Sequence, residues 1–255
     1  AATNAPIGTT DSASYAIDTK EPTVVITLTD SALKVGETAV INFTFSEVPT
    51  GFEVGDVTVF NGSLSGFTVT SNALVYNATF TPTDDVEDAS SVVTVGVGWT
   101  DAATNAPIGT TDSASYAIDT KEPTVTVTMS DSALKVGETS LVTFTFSEAV
   151  TGFTSADVTV VNGSIGTVSV TNNPLIYNGT FTPTDNIEDA SSVVTAGTTW
   201  TDIALNAPLA GDDSPAYSID TKEPTVVVTL SDSALKVGET TVINFTFSEV
   251  PTGFE

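Results

Sequence analysis

Apolar and polar residues alternate along short segments of this chain. In the segment TAVINFTFS (38–46), Ile41, Phe43 and Phe45 share one face, and the segment TVVITLT (23–29) has the same period of two. This alternation is typical of half-buried β-strands. Five further segments before residue 120 show it, and none places apolar residues at the i, i+3, i+4, i+7 spacing of a helix. We therefore predict an all-β protein.

The chain also repeats itself. The octet IDTKEPTV stands at 17–24, 118–125 and 219–226, so the period is 101 residues. A unit of this length is a whole small domain rather than one turn of a solenoid. We predict four pieces: 1–19 as the C-terminal end (FG loop and last strand) of a preceding repeat, 20–120 and 121–221 as complete repeats, and 222–255 as the first strands of a following repeat.

About seven short strands in each 101-residue unit predict an immunoglobulin-like β-sandwich, and the repetition predicts a linear array of tandem domains. The strand VTVFNGS ends in the pair Asn61-Gly62, which favours a hairpin. The chain has no cysteine, so no disulfide crosses the sandwich. Its core is predicted to rest on aromatic side chains, namely Phe43, Phe45, Phe80, Trp99 and Tyr116.

Charge and composition exclude several classes of function. With 32 acidic residues against 6 lysines and arginines, the net charge is −26, which argues against nucleic acid or anionic membrane as a partner. No apolar run approaches the ~20 residues of a membrane span, so membrane insertion is not expected. Without histidine or cysteine, Ser-His and Cys-His nucleophiles and thiolate zinc sites are impossible. Paired carboxylates copied every 101 residues are an odd way to build a glycosidase, so we do not expect an enzyme.

The acids concentrate in loops and in the joint between repeats. The joint, residues 119–123, is short, and Pro123 restricts both its own backbone and that of the preceding residue. In a sandwich, the EF loop of one domain lies near the BC and FG loops of the next. The acids expected at this seam are Asp84, Asp85, Glu87 and Asp88 in the EF loop, Asp119 and Glu122 in the joint, and Glu148, Asp157 and Asp202 in the BC and FG loops that follow.

Such a concentration of carboxylates has two interpretations. On the first interpretation, the acids simply solvate the surface, as charged loops usually do. Alternatively, a hard divalent cation neutralises their repulsion, since Ca²⁺ accepts six to eight oxygen ligands in loose geometry. Because the strand faces carry threonine, serine and asparagine instead of acids, we favour calcium at the junctions, with neighbouring repeats of the same chain as the partners that it joins.

The motifs FTFSE (43–47), DVTVFNG (56–62) and DAATN (101–105) resemble the bacterial Ig-like repeats of giant surface adhesins of the repeats-in-toxin type. That resemblance implies an extracellular extender region exported by type I secretion, stiffened by Ca²⁺, which projects distal binding modules from the bacterial cell surface for attachment and biofilm formation. It also implies calcium ligands in the joint and adjoining loops: Asp18, Glu21, Glu47, Asp56 and Asp101, and one period later Asp119, Glu122, Glu148, Asp157 and Asp202.

The chain departs from this family at one position and leaves one rival function open. Family members often have glycine where Thr104 stands, and the second repeat has DIALN (202–206) where the first has DAATN. The rival is an Ig-like adhesive module whose own loops bind a carbohydrate or a host protein. Phe52, Phe60 and Phe67 are the aromatic residues expected outside the main core, and uniform copies favour spacing over recognition.

Overall fold

The computed structural model describes residues 8–255, which divide into two compact units, one up to Lys121 and one from Glu122. Both are built from β-strands, and the only helical segments among the described residues are single 3-10 turns at Val54–Asp56 and Ser155–Asp157. From residue 8 onward, no helix has the length and apolar character needed to cross a membrane. The predicted all-β class is confirmed.

The strands of the first unit follow the alternating segments of the sequence. In chain order they are β1 (Val24–Leu28), β2 (Ala32–Lys34), β3 (Ala39–Phe45), β4 (Val57–Val59), β5 (Gly62–Val69), β6 (Val75–Pro82), β7 (Glu87–Ser91), β8 (Val93–Val95), β9 (Thr111–Asp112) and β10 (Tyr116–Asp119).

Two sheets enclose one core. The first has the antiparallel order β1-β3-β6-β5, and the second combines β2-β10-β7 with β4-β8-β9. Strands β7 and β8 are successive parts of one strand interrupted at Val92. The last strand, β10, runs parallel to β2 and antiparallel to β7. This two-sheet arrangement is the predicted immunoglobulin-like sandwich.

The predicted aromatic core is confirmed, because all five of its members are at most 3% exposed. The rings of Phe45 and Trp99 meet edge to face with centroids 4.8 Å apart, a favourable arrangement for aromatic pairs. Phe52 lies 4.8 Å from the Phe45 ring and is also buried. The prediction that Phe52 lies outside the core is wrong, since its loop folds inward; Phe60, 61% exposed, does lie outside it.

Two local predictions are also wrong. Glu87 and Asp88, placed in the EF loop from the sequence, lie on strand β7, because pairing with β10 extends the strand into a segment without apolar alternation. Asn61-Gly62 does form a turn, but not a hairpin. The strands on either side of it pair with different neighbours, β4 with β8 and β5 with β6, so the turn carries the chain from one sheet to the other.

The second unit repeats this architecture and adds a further strand pair. Its strands are β11 (Val125–Met129), β12 (Ala133–Lys135), β13 (Ser140–Phe146), β14 (Val150–Thr151), β15 (Val158–Val160), β16 (Gly163–Ile165), β17 (Ser169–Val170), β18 (Ile176–Pro183), β19 (Glu188–Ser192), β20 (Val194–Ala196), β21 (Thr201–Asp202), β22 (Asp212–Asp213), β23 (Tyr217–Asp220), β24 (Val226–Leu230) and β25 (Ile243–Phe247).

Strands β24 and β25 pair antiparallel and carry side chains that are core residues in the complete repeats. Val228 and Phe245 are the repeat equivalents of Ile26 and Phe43. They are 53% and 47% exposed, whereas Ile26 and Phe43 are 6% and 0% exposed. The difference shows that burial of these side chains depends on the strands that follow β3 in a complete repeat.

Candidate metal centre

The segment between β8 and β9 holds a buried carboxylate in place. Asp101 is 1% exposed. The backbone amide of Asn105 donates to its Oδ1, and Asn105 Nδ2 donates to its Oδ2, both at 2.8 Å. Between these two residues Thr104 adopts a φ of +71°, a left-handed conformation in which the chain doubles back on itself. This is the position at which glycine was expected from the family resemblance.

Three carboxylates converge here. One oxygen each from Asp18, Glu47 and Asp101 lie within 4.8 Å of one another, in the first unit. Asp18 lies in the joint that precedes β1, Glu47 follows β3, and Asp101 follows β8. Asn105 Nδ2 also donates to the backbone carbonyl oxygen of Asp18 at 3.3 Å, which ties the loop to the joint. Within the described part of the first unit this is the one group of three acids that meets so closely.

The group is charged and poorly compensated. Desolvation alone raises the pKa of Asp101, but hydrogen bonds from Asn105 and from the amides of Ala103 and Thr104 outweigh it and hold that pKa below its ordinary value. Oε1 of Glu47 is buried without a hydrogen-bond partner. Lys20 Nζ lies 4.0 Å from that oxygen on a largely exposed side chain, and such a pair contributes little. The arrangement is one that a cation would stabilise.

The second unit contains two members of the same set. Asp202 is fully buried, and Asn206 donates to its carboxylate through the backbone amide at 2.8 Å and through Nδ2 at 2.9 Å. Carboxylate oxygens of Glu148 and Asp202 lie within 4.8 Å of each other. These two residues are the equivalents of Glu47 and Asp101 one period later, and Asp119 is the equivalent of Asp18.

A family model described as bacterial Ig-like domain matches residues 18–118, 119–219 and 220–255. The chain belongs to the bacterial Ig-like domain family. The matched segments begin at 101-residue intervals, the same period as the sequence repeat.

Two solved structures are distantly similar to the chain. FdeC, a broadly conserved Escherichia coli adhesin, is 14% identical over 88% of this chain and 72% of its own, with a TM-score of 0.41. The I9–I11 tandem of titin is 9% identical over 82% and 69%, with a TM-score of 0.37. No curated protein sequence matches the chain. Scores this low carry no inference about what the bacterial Ig-like repeats do.

Asp56 and Asp157, both predicted as metal ligands, close the 3-10 turns of their repeats. Asp56 Oδ2 accepts from the backbone amide of Glu53 at 3.0 Å, and Asp157 Oδ2 accepts from that of Thr154 at 2.8 Å. Desolvation raises the pKa of Asp157, but hydrogen bonds from Thr199 and Thr154 lower it by more. The structure gives these two carboxylates a capping role and does not bring Asp56 into the acidic group of the first unit.

Asp88, another predicted ligand, is the acceptor of a hydrogen-bond network between the sheets. Its carboxylate accepts from Asn61 Nδ2, Ser91 Oγ and the Ser90 amide, each at 2.8 Å. The Ser90 and Ser91 hydrogen bonds, in that order, lower the pKa of Asp88. Its neighbour Glu87 lies on β7 opposite Asp119 of β10. Both acids therefore belong to the strand framework of the bacterial Ig-like repeat.

The remaining predicted ligands lie in exposed turns or in the joint. Asp85 adopts a φ of +60° in the turn before β7, and its backbone amide donates to the Thr120 carbonyl at 3.2 Å. Asp84 and Glu21 are exposed, and Glu122 is partly exposed. The structure does not bring Asp84, Asp85 or Glu21 into the group formed by Asp18, Glu47 and Asp101.

Sequence reasoning missed the residue that anchors the joint. Thr120 is 3% exposed, and its Oγ1 donates to the Thr83 carbonyl at 2.7 Å while accepting from the Val86 amide at 3.0 Å. Thr221 makes the same contacts one period later. The signal was present, because this threonine is the third residue of the octet in all three copies. It binds the start of the joint to the domain that precedes it.

Proposed function

We propose that this chain is part of the extender region of a bacterial cell-surface adhesin or filament, in which tandem Ig-like repeats project a distal binding module and calcium at the joints stiffens the array. The observation that carries the proposal is the convergence of Asp18, Glu47 and Asp101 where the joint enters the first complete repeat. The proposed function is mechanical: it needs no catalysis, and the repeats themselves need not bind a carbohydrate or a host protein.

The residues of this group fit calcium. All three supply carboxylate oxygens, the ligand type that Ca²⁺ prefers, and their mutual separation suits an ion bound at about 2.3–2.6 Å from each oxygen. Glu47 Oε1 is buried without a hydrogen-bond donor, which is costly unless a cation or water satisfies it. A bound ion supplies the positive charge that Lys20, 4.0 Å away and mostly in solvent, does not.

The backbone of the joint makes this position mechanically useful. In the second unit, Thr221 is hydrogen-bonded to the domain before it, through Thr184 and Ile187. The amide of Thr225 donates to Ser248 Oγ at 2.8 Å, so the chain is held again four residues later. Residues 222–224 between these anchors include a proline, which restricts their conformations. A cation that bridges the joint and the loops beyond it removes most of the remaining freedom.

Repetition extends the proposal to the rest of the array. Asp119, Glu148 and Asp202 are the equivalents of Asp18, Glu47 and Asp101, and Glu122 is the equivalent of Glu21. We assign them the same role at the next joint, with the neighbouring repeats as partners. Near-identical copies favour a spacer, because a receptor site need not be copied in each repeat. We extend the proposal to surface display through type I secretion and to a part in attachment and biofilm formation, on the basis of the sequence resemblance to adhesin repeats of the repeats-in-toxin type.

Thermal unfolding with and without calcium tests the site. At a free Ca²⁺ concentration of ten times the Kd, each bound ion stabilises the folded state by about 1.4 kcal/mol. The wild-type Tm should therefore rise with Ca²⁺ and fall with chelator. Asp101→Asn and Glu47→Gln should abolish the calcium-dependent rise in the unfolding transition of the first unit and leave the response of the second unit unchanged. Asp84→Asn, which removes the same charge from a turn outside the group, is the matched control and should retain it. A calcium response that is equal in all four proteins would contradict the assignment.

One observation favours the rival adhesive function for the second repeat. Ile203, Leu205 and Leu209 are 70%, 59% and 85% exposed on a single loop, where the first repeat has Ala102, Thr104 and Ile108. Apolar side chains gathered on one exposed loop are typical of a contact surface. If that loop binds a ligand, calcium-loaded protein should bind a carbohydrate or host-protein array, and replacing the three aliphatic residues with alanine should remove the signal.

A further inference from the structure

The turn between β4 and β5 places an asparagine in a left-handed conformation before a glycine that no larger residue can replace. Asn61 adopts a φ of +56°, which asparagine tolerates better than most residues. A Cβ on Gly62 would overlap the Phe80 ring and lie 2.6 Å from the Thr81 carbonyl oxygen, so no larger residue fits. Asn162 (φ +58°) and Gly163, which packs on Phe181, repeat the arrangement in the second unit. The fold thus retains the dipeptide in which asparagine is most prone to lose its side-chain amide.

Asparagine deamidates at such sites when the backbone nitrogen of the following residue attacks the side-chain carbonyl carbon. That nitrogen is available here. Gly62 lies opposite Pro82 on the edge strand β5, and the Thr83 amide donates to the Asn61 carbonyl at 2.8 Å. In an antiparallel ladder this pattern makes Gly62 and Pro82 a non-hydrogen-bonded pair, so the Gly62 N–H points away from β6 toward the free edge. No hydrogen bond of the β5–β6 ladder occupies the nucleophile.

The side-chain amide, in contrast, is held away from the nucleophile. Asn61 Nδ2 donates to Asp88 Oδ2 at 2.8 Å, across to a strand 27 residues further along the chain. In the second unit, Asn162 Nδ2 donates to Asp189 Oδ2 at 2.6 Å and approaches Ser192 Oγ at 3.5 Å. To form a ring with Gly62, the Asn61 side chain must leave this carboxylate and fold back over its own backbone. A hydrogen bond to a charged group opposes that movement.

We propose that Asn61 and Asn162 are self-modification sites that Asp88 and Asp189 keep closed in the folded repeat and that open when the repeat unfolds. In the reaction, the Gly62 nitrogen bonds to Asn61 Cγ and loses its proton, and Nδ2 leaves as ammonia. The resulting succinimide ring is opened by one water molecule, which yields either aspartate or the isoaspartyl isomer. No other co-reactant is needed, and solvent reaches the exposed Asn61 directly.

The product cannot restore the original turn. A carboxylate at position 61 would face the Asp88 carboxylate in place of the donating amide, so attraction becomes repulsion. The isoaspartyl isomer also adds a backbone carbon next to Gly62, which packs directly on Phe80. A repeat that has been unfolded long enough to react therefore refolds with its two sheets less firmly joined.

A third Asn-Gly pair serves as an internal control. Asn178-Gly179 lies within β18, where Asn178 is opposite Thr143 of β13 on one side and Ser169 of β17 on the other. Asn178 has no positive φ and no hydrogen bond to an aspartate, and its Oδ1 is buried without a hydrogen-bond partner. Peptide mapping of the urea-unfolded chain should find all three pairs reacting at similar rates. In the folded wild type, all three should be slow.

The decisive comparison uses variants of Asp88 at mildly alkaline pH, with peptide mapping of the folded protein. Asp88→Ala should raise the rate at Asn61 roughly tenfold or more, as expected from losing a hydrogen bond to a charged group, while Asn162 in the same molecules stays slow. Asp88→Asn keeps an acceptor oxygen, so the Asn61 rate should lie between those of the wild type and of Asp88→Ala, because an uncharged hydrogen bond still holds the amide, though more weakly. Retained Tm and near-ultraviolet spectra distinguish release of the amide from unfolding.

Two results would overturn the proposal: Asn61 reacting as fast in the folded wild type as in urea, or a folded Asp88→Ala protein whose Asn61 rate is unchanged. If Asp88→Ala does not fold, Asn61→Asp provides the second measurement. It should lower the Tm of the first unit and slow its refolding, and an unchanged Tm would also contradict the proposal.

Discussion

Asn105 donates a hydrogen bond of 3.3 Å through Nδ2 to the backbone carbonyl oxygen of Asp18, 87 residues earlier in the chain. The same nitrogen bonds the buried carboxylate of Asp101 at 2.8 Å. One asparagine therefore connects the joint, the loop after β8 and the acid at the centre of the proposed calcium site. The conformation of that loop therefore determines where the carboxylates lie.

Thr104→Gly and Leu205→Gly should each stabilise their repeat. Both residues hold a positive φ, +71° and +74°. Glycine removes the ~1–2 kcal/mol penalty of a left-handed L-residue at an entropic cost of about 0.5–1 kcal/mol, so the free energy of unfolding should rise by about 1 kcal/mol. Urea unfolding measures this. Ala103→Gly, at a position without a positive φ, is the control and should lower stability, and a loss on Thr104→Gly would contradict the prediction.

Gly62→Ala should destabilise the first repeat by about 3 kcal/mol. The added methyl group would overlap the Phe80 ring and lie 2.6 Å from the Thr81 carbonyl oxygen, and overpacking of this kind typically costs about 1–3 kcal/mol. Gly55→Ala is the matched control, since its Cβ would meet only Glu53 Oε1 at an ordinary 3.6 Å. It should change the Tm little. If calorimetry gave equal losses of stability for the two substitutions, the clash with Phe80 would not be the cause of the loss at Gly62.

Tyr116→Phe should leave stability unchanged or raise it. The Tyr116 hydroxyl is buried without a hydrogen-bond partner, so its removal relieves a desolvation cost of about 1 kcal/mol. Burial, with a contribution from the Asp88 charge, raises the pKa of Tyr116 to about 12, and the group stays neutral at physiological pH. Tyr177→Phe is the contrast, because that hydroxyl donates to the Val150 carbonyl at 3.3 Å. It should lose about 1 kcal/mol in chemical denaturation.

Acid should destabilise both complete repeats through Asp88 and Asp189. Hydrogen bonds, first from the Ser90 and Ser191 amides and then from the Ser91 and Ser192 hydroxyls, lower the pKa of these two carboxyls. Below about pH 4, the unfolded chain therefore binds more protons than the folded one. The stability that these hydrogen bonds contribute is fully present above that pH, and it is lost as the pH falls through the lower folded-state pKa. Urea midpoints between pH 6 and pH 2 measure the loss. Asp88→Asn with Asp189→Asn should flatten the curve, and an unchanged slope would contradict this origin.

The sequence predicted well wherever a local pattern decides the structure. Alternation over residues 38–46 placed Phe43 and Phe45 on the buried face of β3, and the absence of cysteine left the aromatic residues as the core. The acids of the joint and of the loop after β8 were expected near each other, and Asp18, Glu47 and Asp101 do meet. In these cases side-chain period and domain order are sufficient information.

The sequence failed where a distant partner decides. Glu87 and Asp88 have no apolar alternation, and they form a strand because β10 pairs with them. Asn61-Gly62 has the composition of a hairpin, but β4 and β5 find their partners elsewhere. Asp56 closes a 3-10 turn by accepting a hydrogen bond from the Glu53 amide. The number of acids in a loop does not distinguish such a cap from a metal ligand. The outcomes at Glu87, Asp88 and Asn61-Gly62 depend on long-range pairing that no short window contains, whereas the role of Asp56 is local.

Small-angle X-ray scattering of the chain in calcium and in chelator tests the central claim most directly. If calcium bridges the carboxylates at each joint, the protein should scatter as a rod in millimolar Ca²⁺, lengthened by roughly 40 Å for each complete repeat given strands that rise ~3.4 Å per residue, and as a flexible chain without the ion. Superimposable curves in the two conditions would contradict the account.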